Sequence, residues 1–251
     1  MRHIIKYIII FCFFSVSQAA TQWTSVASGI DYAEIQRING YIHAFKINLQ
    51  KNNMQLALAK DDIFPATTVK WLAQKKQALI AVNGGFFTPL WEPVGLRIQH
   101  GKLRIPLQPT SWWHIFYVAK NMPYIIAEKN YQTNKLALTQ PDIVFAVQGG
   151  PRLLNNGVIP PHLRPGIDER TALGITPEGE VIIIATEHLK ISTQDLAKIF
   201  QAPEAQNGFN CVNALNLDGG SSTQLYVNIG KLHFDVSSFA LITDIIYVTP
   251  N

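Results

Sequence analysis

The chain has 251 residues, 47% of them apolar, enough to bury one large core or two small ones. Its 21 Lys and Arg face 17 Asp and Glu, a net charge of +4 with no clustered basic stripe, which argues against a nucleic-acid partner. It has two cysteines, and only Cys211 lies beyond the first twenty residues, so neither a disulfide framework nor a thiolate metal cluster is expected.

Residues 1–19, from "MRHIIKYIIIFCFFSVSQA", have the pattern of a secretory signal peptide. Arg2, His3 and Lys6 form a positive start, Tyr7 to Val16 is nearly all apolar, and small residues end the segment. The apolar run is shorter than the roughly 20 residues a membrane span needs. The mature protein is therefore expected to begin at residue 20, to be secreted or periplasmic, and to keep no stable membrane span; retention of the segment as an N-terminal anchor is the alternative. Removing Arg2 and Lys6 lowers the net charge to about +2, so the basic balance says little about partners.

The rest of the chain, 20–251, reads as one α+β domain, with a β-rich curved sheet and a few packed helices. A helix is predicted at 67–77, opened by a Thr cap, with Val69, Leu72 and Ala73 on one side. Strand residues then lead into "NGGFF" at 83–87. A hairpin at 95–105 turns at His100-Gly101. Trp91, Trp112 and Trp113 are candidates for a stacking platform or for core. A second apolar strand leads into "QGGPRLL" at 148–154, and the irregular stretch 155–170 is long enough to suggest function. A hairpin at 171–186 turns at Pro177-Glu178-Gly179. A second helix at 192–201 is capped by Ser192 or Thr193 and ended by Pro203. The run "ALNLDGGSSTQL" at 214–225 follows, then a hairpin near Gly230 and an apolar strand at 240–248 expected to close the sheet.

Three of these strands end alike: apolar β residues, one polar side chain, then Gly-Gly. The polar residues are Asn83, Gln148 and Asp218. Paired glycines remove two Cβ atoms and let backbone N–H groups approach a ligand, although they also simply turn a chain. If the three strands are neighbours in one sheet, their polar ends line one cleft.

In this order, "NGGFF", "GGPRLL", "RTALGI" and "LNLDGGSSTQL" resemble the phosphodiester glycosidase domain, the catalytic domain of the lysosomal uncovering enzyme and of many exported bacterial proteins. The resemblance runs from about Ile42 to Val248. One position departs from it: Ser221 stands where members commonly carry a third glycine.

The resemblance implies cleavage of the bond between a sugar's anomeric carbon and phosphate in a sugar-1-phosphodiester, such as an N-acetylglucosamine-1-phosphodiester. Envelope or extracellular glycoconjugates, including exopolysaccharide, are then the expected substrates. An oxocarbenium-like transition state calls for a nearby carboxylate, as nucleophile or as base for water, and the phosphate calls for a cation. Asp218 is the expected carboxylate, with a self-capping turn as its alternative. Arg170 matches the family's arginine and is expected to grip phosphate, with Arg152 assisting; a surface salt bridge to Asp168 or Glu169 is the alternative for Arg170. Asn83 and Gln148 are placed at the substrate, with backbone donors from Gly84, Gly85, Gly149, Gly150, Gly219 and Gly220 and hydroxyls from Ser221, Ser222 and Thr223. Glu187, at the end of "VIIIATE", is the candidate second carboxylate. His162 and Arg164 are weaker phosphate candidates. No HExxH, P-loop or EF-hand pattern occurs, and neither a cofactor nor a metal is expected. A non-catalytic sugar-phosphate-binding protein of the same fold is the competing reading. A serine hydrolase would need a G-x-S-x-G elbow that the chain lacks.

Overall fold

In the computed structural model, which describes residues 20–62, 64–133 and 142–251, every strand pairing is antiparallel. The expected signal peptide lies outside the described residues. Instead of one curved sheet there are three larger ones. A seven-stranded sheet runs Thr24–Ala27, Ile30–Arg37, Gly40–Ile47, Val181–Glu187, Thr171–Ile175, Asn213–Asn216, Arg152–Leu154 across its width. One five-stranded sheet has Ile80–Asn83 at its centre, between Leu225–Ile229 and Asp244–Pro250. The other has Ile143–Gly149 at its centre, between Arg97–Gln99 and His114–Ala119.

One apolar core lies among them. Phe45, Ile183 and Leu215 of the seven-stranded sheet meet Leu56, Val82 and Ile246 of one five-stranded sheet and Phe116, Phe145 and Val147 of the other. Two helices cover the outer faces. In Thr193–Gln201, Leu196, Ala197 and Phe200 pack on Ala44, Ile182 and Ile184, while in Val69–Lys75, Val69, Leu72 and Ala73 pack on Ala57, Ala81 and Ile245. Their caps follow the sequence: Ser192 Oγ accepts from Asp195 N, and Thr68 Oγ1 accepts from Trp71 N.

The three expected hairpins form. His100 and Gly101 both have positive φ (49° and 72°), the geometry of a tight two-residue hairpin turn. The C-terminal strand is not an edge: Asp244–Pro250 pairs with Ile80–Asn83 on one side and Asn52–Leu58 on the other, and its apolar side chains are buried on both faces. Among the described residues, no helix is long and apolar enough to cross a membrane.

Candidate active site

The three Gly-Gly strand ends belong to three different sheets, which corrects the expectation of neighbours in one. They nevertheless meet. Asp218 N donates to Gly84 O at 3.3 Å, and Asn216 N donates to Pro151 O at 3.0 Å. A Cβ on Gly85 would stand 2.8 Å from Gln148 O, and one on Gly149 would stand 3.0 Å from Asn216 O. The glycines thus let three sheet ends close on a single junction.

A cleft opens at this junction, lined by Asp218, Arg170, Asp168, Arg164, Asn216 and Trp112 together with Gly150, Gly219 and Gly220. Burial pushes the Asp218 carboxyl up to about 6, against the pull of hydrogen bonds from the Ser222 side chain and from Gly219 N; the charge of Asp244 adds to the rise. The Gly219 N–H reaches Asp218 Oδ1 at 2.9 Å. A carboxylate with such a pKa is still mostly ionised near pH 7 and is a stronger base than an exposed one.

Arg170 is buried at the base of the long loop, where its Nη2 donates to Gly166 O at 2.6 Å and its Nε to Ile191 O at 3.2 Å. Both acceptors are neutral. The surface salt bridge considered for it does not form: Asp168 pairs instead with Lys190, at 3.7 Å. Burial lowers the Arg170 pKa, opposed by the charge of Asp168. A buried guanidinium held only by carbonyls is receptive to an anion.

Other expected residues lie elsewhere. Glu187 does not line the cleft; its Oε2 is 3.1 Å from His43 Nε2, so it is corrected as the second carboxylate of this site. Asp168 is the other carboxylate that lines the cleft. Gln148 is fully buried and engaged: Oε1 accepts from Leu96 N and Gln108 N, and Nε2 donates to Gln108 O. It shapes the 96–108 segment and cannot reach a ligand. The amide of Asn83 is likewise engaged with Asp218, Thr171 and Gln224. The N–H groups of Gly84, Gly85, Gly219 and Gly220 all have protein partners, so none is offered as a free donor. Ser222 is buried, whereas Ser221 is exposed and neither lines the cleft. Arg152 and His162 face an adjoining pocket.

Of the tryptophans, only Trp112 reaches the cleft. Trp113 is buried and stacks on Phe86 with ring centres 4.9 Å apart, and Trp91 stacks on Phe87. Among the described residues, no three His, Cys, Asp or Glu side chains gather to hold a metal ion.

Sequence reasoning missed the support beneath the site. Arg97 and Asp244 are fully buried, with Nε and Oδ2 3.1 Å apart. Asp244 Oδ1 also accepts from Gly85 N at 3.0 Å, while Arg97 Nη2 donates to Phe86 O at 3.2 Å. A Cβ on Gly84 would stand 1.8 Å from Asp244 Oδ1, so the carboxylate occupies the space of the missing side chain. The available signal was one acid inside the apolar strand "LITDIIYV" and one arginine in "GLRIQ". Asn216 was also missed. It is buried in the cleft wall, and its Nδ2 donates to Gly150 O at 3.0 Å.

Residues 76–249 match the family model described as phosphodiester glycosidase. A relative, the uncharacterized protein YigE of Escherichia coli (strain K12), is 30% identical over 122 residues, 44% of this chain and 46% of that protein. The match thus spans less than half of that relative's length. Among solved structures, the catalytic domain of zebrafish N-acetylglucosamine-1-phosphodiester alpha-N-acetylglucosaminidase, auto-inhibited by its pro-peptide, superposes with a TM-score of 0.65 at 18% identity, covering 92% of this chain and 88% of that one. A hypothetical protein from Synechocystis gives a TM-score of 0.60 at 15% identity, covering 92% of this chain and 64% of that one. At these identities the solved structures show a shared fold, and the matched sequence model identifies the chain as a member of the phosphodiester glycosidase family.

Proposed function

We propose that this chain is an exported hydrolase that cleaves the anomeric C–O bond of a sugar-1-phosphodiester, acting on envelope or extracellular glycoconjugates. The observation that carries the reading is the pairing, in one cleft, of a half-buried carboxylate with an arginine that lacks a carboxylate partner: Asp218 and Arg170. The family's description as phosphodiester glycosidase and the similar fold of the zebrafish N-acetylglucosamine-1-phosphodiester alpha-N-acetylglucosaminidase support the substrate class.

In this reading the sugar lies against Gly219 and Gly220 with its anomeric carbon at Asp218. Asp218 removes a proton from water, the water oxygen bonds to the anomeric carbon, and the anomeric C–O bond breaks with its electron pair going to the phosphate. Arg170 holds the phosphate and stabilises the charge that develops on it. A phosphodiester leaves readily, so proton donation to it is a lesser requirement. Asp218 then releases the proton to solvent, which restores the carboxylate for the next turnover; Asp168 is the second carboxylate of the cleft.

The purified protein, incubated with a panel of sugar-1-phosphodiesters, is expected to release free sugar, and Asp218→Asn is expected to abolish release while keeping the fold by circular dichroism. Tight binding without release in the wild type would make it a sugar-phosphate-binding protein instead.

A further inference from the structure

The long loop borders two pockets, and the second adjoins the cleft of Asp218. Trp112, Pro151 and Arg164 line both. The cleft holds charges of both signs, Asp168 and Asp218 with Arg164 and Arg170. The second pocket adds Arg152, His114 and His162, and no Asp or Glu is among the residues that line it. Positive charge therefore continues past the site proposed for the reaction, and negative charge does not.

The arginines here are held but not neutralised. Arg152 Nε donates to Leu154 O at 2.9 Å and Nη2 to Asn213 Oδ1 at 2.5 Å, both neutral acceptors. The Arg164 guanidinium lies 4.1 Å from the centre of the Trp112 ring, a cation–π contact that orients it and leaves its edge donors open. Among the described residues neither forms an ion pair, whereas Arg97 and Arg104 each pair with an aspartate. Burial lowers the Arg152 pKa, and burial together with Arg152 drives the His114 imidazole down to about 4, so His114 is neutral near pH 7. A partly buried cation without a counter-charge is half of an ion pair. The guanidinium fork suits phosphate bidentately.

We propose that this second pocket is an anion subsite on the leaving-group side of the cleft, and that the preferred substrates are sugar-1-phosphodiesters whose aglycone carries a second phosphate. The proposal rests on the reaction proposed above. The sugar meets Asp218, the scissile phosphate meets Arg170, and the aglycone passes Trp112 and Arg164 to place its second phosphate at Arg152.

The test compares N-acetylglucosamine-1-phosphate diesters of methanol and of a series of hydroxyalkyl phosphates with spacers of two to four carbons. The wild type is expected to show a kcat/KM roughly ten- to a hundredfold higher for the best bisphosphate than for the methyl diester, the effect of one charge-assisted contact. Arg152→Gln should remove most of that preference. Because Arg152 also bonds Leu154 and Asn213, thermal unfolding is measured in parallel, and the exposed His162→Ala serves as a second variant expected to reduce the preference by a smaller factor. Calorimetric binding of an alkyl bisphosphate, against the alkyl monophosphate, reads the subsite without turnover. If neither diester is cleaved but bisphosphate binding is tighter and falls in Arg152→Gln, the reaction assignment fails and the subsite stands. Equal kcat/KM for all diesters, or a preference and a bisphosphate affinity that Arg152→Gln and His162→Ala leave unchanged, overturns the subsite.

Discussion

The side-chain amide of Asn83 holds the backbone of Asp218: its Nδ2 donates to the Asp218 carbonyl at 2.8 Å. The other end of the same amide accepts from Thr171 Oγ1 at 2.6 Å and Gln224 N at 3.2 Å. One buried side chain thus ties the first Gly-Gly strand to the third and to the strand that follows Arg170. In Asn83→Ala, three polar groups lose their partner in a buried setting, and stability is expected to fall by about 2–4 kcal/mol. Asn83→Asp keeps the acceptor but sets an oxygen against the Asp218 carbonyl. In that variant kcat should fall more than tenfold with KM little changed, as for a residue that positions Asp218 without touching substrate. Urea unfolding and steady-state kinetics check the two effects separately.

Asp218→Asn is expected to separate activity from stability. Burial raises the folded Asp218 carboxyl from an ordinary value of 3.8 to about 6, so its ionised form weakens the fold. The carboxyl's favourable contribution is complete below about pH 4 and is lost as pH rises through about 6. The asparagine variant should therefore match the wild type at pH 4 and exceed it by about 1–3 kcal/mol at pH 8. Activity runs the other way: as a base, Asp218 must be ionised, so wild-type kcat/KM should drop about tenfold per pH unit below about 6. Melting temperatures of both proteins across pH, beside a pH–rate profile of the wild type, provide the measurement.

The Arg97–Asp244 pair under the "NGG" turn is fully buried, so breaking one side leaves the other charge uncompensated. Asp244→Ala should cost about 3–5 kcal/mol. Replacing both with apolar residues, Arg97→Met with Asp244→Leu, should still leave the protein about 1–3 kcal/mol less stable than wild type, because Gly85 N loses its buried acceptor. Gly84→Ala is expected to fail to accumulate as folded protein, since its Cβ would overlap Asp244 Oδ1. Chemical denaturation of the first two and soluble expression of the third decide.

Arg170→Lys keeps a positive charge and discards the fork that reaches Gly166, Ile191 and the cleft. A loss of roughly ten- to a hundredfold in kcat/KM is expected, with weaker competitive inhibition by inorganic phosphate. Unchanged phosphate inhibition would remove Arg170 from the anion site.

Much of the local structure was legible because it depends on neighbours in the chain. The positive φ values of His100 and Gly101, the caps at Ser192 and Thr68, and the apolar faces of both helices follow from side chains within a few positions. The four family motifs and the location of Asp218 and Arg170 were legible for the same reason: each is a contiguous run. Gln148, Glu187 and Asn83 show where that kind of reading stops. All three stand near strand ends, and Gln148 and Asn83 precede Gly-Gly as Asp218 does, yet Gln148 turns to Gln108, Glu187 to His43 and Asn83 to the backbone of Asp218.

The sequence by itself determined a β-rich chain of antiparallel hairpins, an acid between an apolar strand and two glycines, and membership of an ordered set of motifs. Only the tertiary structure decided that the three Gly-Gly ends come from three sheets and meet in one junction, and which polar side chains there face the cleft. The reason is range. The Asn83–Asp218 bond joins residues 135 apart and the Arg97–Asp244 pair joins residues 147 apart, so the burial that raises the Asp218 pKa and the support beneath Gly84 exist only once distant strands have packed.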